Sequence, residues 1–114
     1  MDLERVQATL RQFARERDWE QFHHPKNLAM ALAAESGELV EVFQWLSDVE
    51  SRTAASDSAV VESASQEIAD IFIYLVRLAD VLGVDVARAV NDKIEANARR
   101  YPISTVRGIA GKQP

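Results

Sequence analysis

A chain of 114 residues carrying a formal charge of −5, with 47% hydrophobic and 27% charged side chains, has the size and composition of one soluble globular domain. It has no cysteine, which excludes disulfides, thiolate metal sites and cysteine nucleophiles, and its negative balance argues against a general affinity for nucleic-acid backbone. No apolar run reaches membrane-spanning length and the first residues lack a signal-peptide pattern, so a cytoplasmic location is expected.

Leu3, Val6, Leu10 and Phe13 recur at three and four, with Asp2 available as N-cap, and predict a first amphipathic helix over about 3–17. The segment from Trp19 to Pro25 has no helical stripe and reads as a structured connector, Pro25 suiting the first turn of the next helix. Leu28, Ala31, Leu32, Leu39, Val42, Phe43 and Leu46 mark a second helix over about 26–46. Ser47 to Asp57 is rich in Ser, Thr, Ala and Asp without periodicity and reads as an exposed loop.

A third helix is expected over about 59–82, its inward side formed by Val61, Ala64, Ile68, Ile71, Phe72, Leu75, Leu78, Ala79 and Leu82, with Gly83 as its stop. Asp85 can cap a fourth, over about 86–99, carrying Val86, Ala89, Val90 and Ile94. Pro102 ends it, and a mobile tail is expected beyond, most clearly over 109–114. The fold class is therefore all-α. The β-prone run Ile71-Phe72-Ile73-Tyr74 lies inside a longer helical period, so the helix reading prevails on length.

Two acidic pairs interrupt these helices. Glu35 and Glu38 sit on or beside the apolar stripe of the second, and Glu67 with Asp70 on that of the third. Residues three apart share nearly one helix face, so each pair can aim two carboxylates in one direction. Unpaired buried carboxylates are costly, and the simplest compensation is a cation. Oxygen ligands alone favour a hard ion, Mg²⁺ or Mn²⁺. Di-iron carboxylate bundles pair Glu with His three residues on, and no His holds that offset here. Solvated helix charge is the competing explanation for any one acid, and Glu41, Glu62 and Glu95 are read that way.

On the fourth helix Lys93, Asn97, Arg100 and Tyr101 stand at i, i+4, i+7 and i+8, a face able to hold phosphates and a polar ring. Trp19 and Trp45 can stack on a flat base, though a core role suits either, and His23 is a further candidate contact. There is neither a Walker A loop nor a motif for a serine nucleophile, so direct attack by water is the economical route for any phosphate chemistry.

With these residues assembled, the chain resembles the MazG-like, all-α nucleoside triphosphate pyrophosphohydrolases, and within them the dCTP pyrophosphatase branch. The segments that carry the resemblance are Arg17 to His23, Asn27-Leu28, Glu35-Ser36-Gly37-Glu38 through Glu41 to Phe43-Gln44-Trp45, Glu67 through Leu75, and Lys93, Asn97 and Arg100-Tyr101-Pro102. The resemblance spans about residues 3–108 and implies a single four-helix domain over 1–108. It implies Mg²⁺ held by Glu35, Glu38, Glu67 and Asp70, and cleavage of a nucleoside triphosphate between its α and β phosphates. A second metal, or Glu35 or Glu38 as general base, would orient and activate the attacking water. It further implies a pyrimidine stacked by Trp19 and Trp45, Asn97 reading the nucleotide, Lys93 and Arg100 near phosphate, with His23, Tyr74 and Tyr101 as further contacts. Members of the branch assemble as homotetramers with sites shared between subunits, so a homo-oligomer, tetramer or dimer, is expected. The same chemistry on dUTP or another non-canonical triphosphate stays open, as does a non-catalytic nucleotide-binding module.

Overall fold

The structure, a computed structural model, describes residues 1–110. Four long helices carry the chain: α1 (Leu3–Glu16), α2 (Pro25–Phe43), α4 (Ser58–Leu82) and α5 (Val86–Arg100); two short ones, α3 (Asp48–Arg52) and α6 (Ile103–Val106), fall between and after them. There is no strand among the described residues, as the helical periods require.

Local chemistry sets the helix ends. Asp2, Asp57 and Asp85 each accept a hydrogen bond from a backbone N–H of the first turn of α1, α4 and α5, satisfying donors that a helix start leaves bare. Pro25 opens α2, where its missing N–H costs nothing. Gly83, at φ 69°, closes α4 in the left-handed conformation. At the end of α1 the same turn is made by Asp18, at φ 54°. The Trp19 N–H then donates to the Ala14 carbonyl at 2.9 Å and the Asp18 N–H to that of Arg15 at 3.1 Å, which fixes where Trp19 leaves the helix.

One expectation needs correction. Residues 47–57 are ordered into α3 and a 3₁₀ turn at Ala54–Ser56, because Ser47 and Glu50 form a reciprocal capping box: the Ser47 hydroxyl accepts from the Glu50 N–H and the Glu50 carboxylate from the Ser47 N–H. Beyond Pro102 the chain turns once more into α6, with Pro102 as its N-cap. Of the tail expected to be mobile, residues 111–114 lie outside the described residues.

The chain divides into two compact units, Met1–Gly83 and the part from Val84 onward. In the first, α2 packs chiefly against α4, and α1 packs on α4 as well. Its dry centre is small: Ala14, Leu28, Ala64, Val76 and Ala79 are the apolar residues buried among those described. The apolar side of α4 is consequently not one face. Ala64 and Ala79 are buried and Ile71, Phe72 and Leu78 half-buried, whereas Val61, Ile68, Leu75 and Leu82 remain 42% to 57% exposed. Those four recur every seven residues, a stripe that the single chain does not cover. In the second unit Val90 and Ile94 of α5 are likewise exposed.

Candidate metal and nucleotide site

Glu35 and Glu38 project from α2, and Glu67 and Asp70 from α4, the two helices that pack most closely. One carboxylate oxygen from each of Glu35, Glu38 and Glu67 lies within 4.8 Å of the other two. One oxygen of Glu35 and one of Glu67, the Oε2 atoms, are sealed from solvent without a hydrogen-bond partner. Glu38 and Asp70 are exposed, so the inward phase read from the stripe holds for one acid of each pair.

The electrostatics follow from this crowding. Burial, then the charge of Glu38, pushes the Glu35 carboxyl up to about 7, with Asp70 adding to the shift. Burial likewise raises Glu67, helped by Glu38. Such a group of acids, with two sealed and partnerless oxygens, fits a hard divalent cation bound by oxygen: the ion would supply the charge the protein itself does not. Asp70 stands outside the close triad but acts on both raised carboxyls through its charge.

The acids form a partition between two recesses. On one side an open cleft of about 410 Å³ is lined by Glu38, Glu41, Ser63 and Glu67 among others. On the other, Glu35 and Asp70 stand at the acidic end of a cavity of about 400 Å³. Phe13, Trp19 and Tyr74 supply its aromatic wall, with Leu10 and Ile73 beside them, and His23 and Arg77 complete its lining. The rings of Phe13 and Trp19 meet edge-on with centroids 5.8 Å apart, and that of His23 is 6.4 Å from Trp19.

Of the residues singled out in the sequence, Trp19, His23, Glu35, Asp70 and Tyr74 therefore meet in one cavity, and Glu38 and Glu67 join them through the carboxylate cluster. Trp45 does not: it follows α2, is 87% exposed and lines neither recess. Lys93, Asn97 and Arg100 lie exposed along α5 in the second unit, and the Tyr101 N–H closes that helix on the Asn97 carbonyl at 2.8 Å. Phe13 and Arg77 are cavity residues that periodicity hid. Phe13 counted as one more apolar position, and Arg77 is a charge buried in an apolar stripe, which was the signal available.

A test of the cation follows from the raised carboxyls. Their affinity for protons is higher in the folded chain, so the stability they contribute is complete below the ordinary value of 4.5 and is lost as pH rises, for Glu35 through about 7. A divalent ion needs the deprotonated form. Millimolar Mg²⁺ is thus expected to raise the melting temperature by about 5 °C at about pH 8 and scarcely at about pH 5, read by differential scanning calorimetry. Equal shifts at both values would count against the site.

Comparison with known proteins brings the following likenesses. The profile of the MazG-like family matches residues 30–112. The dCTP pyrophosphatase 1 of Rattus norvegicus is 47% identical over 111 residues, and that of Homo sapiens 43% over the same length. Each alignment takes in 97% of this chain and 64% of the relative, so the chain spans somewhat under two thirds of the curated relatives it matches. A solved pyrophosphatase from Archaeoglobus fulgidus DSM 4304 superposes with a TM-score of 0.81 at 38% identity, over 90% of this chain and 94% of that one.

Proposed function

Since the chain belongs to the MazG-like family, we propose that it is a nucleoside triphosphate pyrophosphohydrolase, splitting its substrate between the α and β phosphates into monophosphate and pyrophosphate. dCTP or a modified dCTP is the preferred substrate in this reading, which the identity to dCTP pyrophosphatases supports. The observation that carries the chemistry is the carboxylate cluster with its two sealed, partnerless oxygens, set at the end of an aromatic-walled cavity.

Glu35, Glu38, Glu67 and Asp70 would hold Mg²⁺, or Mn²⁺ in its place. When bound, the cation neutralises phosphate charge and makes pyrophosphate a better leaving group. The rest falls to the protein's own side chains. Glu35, or Glu38 beside it, takes a proton from water. The resulting hydroxide attacks the α phosphorus, the bond to the bridging oxygen breaks, and the electron pair leaves with pyrophosphate. Trp19 and Tyr74 flank the base from the cavity wall. Lys93, Asn97, Arg100, Tyr101 and Trp45 are assigned to nucleotide contact on the resemblance of their segments to the family.

We also read the chain as a subunit of a homo-oligomer, on the strength of the exposed stripe of Val61, Ile68, Leu75 and Leu82. Among the described residues no helix is long and apolar enough to cross a membrane.

The reading is tested by incubating the protein with Mg²⁺ and a panel of triphosphates and identifying the products. Monophosphate and pyrophosphate are expected, most rapidly from dCTP. Release of orthophosphate, or inactivity of the assembled protein on the whole panel, would sink it.

A further inference from the structure

Arg77 is the one charged residue buried among those described, at 8% exposure, and it lines the same cavity as Trp19, Tyr74 and Asp70. Its Nε donates to His23 Nδ1 at 3.2 Å and its Nη1 to the Asp80 carboxylate at 3.3 Å. Asp80 also accepts from Arg11 Nε at 2.7 Å. Two guanidiniums thus share a single carboxylate, and surplus positive charge remains at this group.

The bond to Nδ1 sets the histidine. With Nδ1 accepting, the neutral ring carries its proton on Nε2. Burial and the adjacent Arg77 hold His23 below its ordinary titration range, which keeps that neutral tautomer. The Arg77 fork has more donors than its two partners use. His23 and Arg77 together therefore offer hydrogen-bond donors and no acceptor.

Position tells what these donors face. Asp70, Tyr74 and Arg77 stand at i, i+4 and i+7 on one face of α4, which separates Asp70 from Arg77 by about 10 Å of helix axis. That is the scale of the distance from a nucleotide's α phosphorus to the far edge of its base. With phosphates at the acids and the base along the aromatic wall, the donors meet the base edge.

We propose that Arg77, with His23 positioned by it, is the determinant of base specificity, selecting a pyrimidine that presents two adjacent acceptors. Cytosine does so through O2 and N3, whereas uracil and thymine carry a proton on N3 that would confront these donors. The inference rests on the pyrophosphohydrolase reading above and deepens it. A site built to donate to a ring acceptor discriminates more strongly than an apolar wall, because a mismatched base leaves buried donors unpaired.

The test compares kcat/KM for dCTP and dUTP in the wild type, Arg77→Gln and Arg77→Lys, with melting temperatures recorded for each. The wild type is expected to favour dCTP, and the dCTP to dUTP ratio to fall at least tenfold in Arg77→Gln, through KM for dCTP. Arg77→Lys retains the charge and lacks the fork, and its ratio is expected to fall as well. A second measurement needs no variant: the wild type given a 3-deazacytosine analogue of dCTP, with carbon in place of N3, should lose a similar factor. Ratios unchanged in both variants, equal losses on dCTP and dUTP, or an analogue hydrolysed as well as dCTP would overturn the inference while leaving the pyrophosphohydrolase reading intact. A wild type inactive on every triphosphate would overturn both.

Discussion

Replacing Asp70 or Glu38 by alanine is expected to lower kcat/KM for the preferred triphosphate by about a thousandfold, the scale on which a catalytic cation stabilises developing phosphate charge. The two positions test different parts of the cluster. Glu38 belongs to the triad of oxygens within 4.8 Å, so its loss removes a ligand. Asp70 stands outside that triad, on the cavity side with Glu35, and its loss tests whether the charge it adds there completes the site. Both side chains are exposed, which makes alanine tolerable to the fold and separates loss of chemistry from loss of structure. Activity assays paired with the Mg²⁺-dependent melt would show both effects together. Two variants with full activity would mean that the cation is held elsewhere.

The second large effect concerns assembly. Val61, Ile68, Leu75 and Leu82 form a stripe along α4 that the single chain leaves bare, and full burial of a Leu or Ile side chain contributes about 1.5–3 kcal/mol. In a symmetric assembly the same stripe is covered on each copy, so a change at its middle is felt twice. The protein should therefore sediment as a species heavier than the 12.7 kDa chain, and Ile68→Glu should raise the dissociation constant at least a hundredfold, the effect of placing a carboxylate in each half of an apolar seam. Sedimentation equilibrium measures both. A monomeric wild type, or an Ile68→Glu variant of unchanged mass, would show that this stripe is not the interface.

These cases mark what the residues disclose on their own. The four long helices were legible because apolar spacing, aspartate caps and Gly83 agree about where each begins and ends. The close approach of Glu35, Glu38 and Glu67 was legible for the same reason, since helical phase puts acids of one pair on one face. What periodicity did not disclose is which apolar residues meet the chain itself and which await another surface. Ala64, which is buried, and the more hydrophobic Ile68, which is not, both read as apolar positions of the same helix, so hydrophobicity does not sort them. The helix at Asp48–Arg52 was hidden by its composition, although Ser47 followed by Glu50 is a readable capping box. Arg77 was passed over because its role comes from contacts with His23, 54 positions away in sequence, a pairing no local pattern encodes.

The small dry centre, only Ala14, Leu28, Ala64, Val76 and Ala79 among the described residues, has a consequence of its own. If much of the apolar surface is covered by other copies, folding and association form one linked equilibrium governed by mass action. The melting temperature then belongs to a concentration as much as to a sequence, and dilution alone moves the protein toward unfolding.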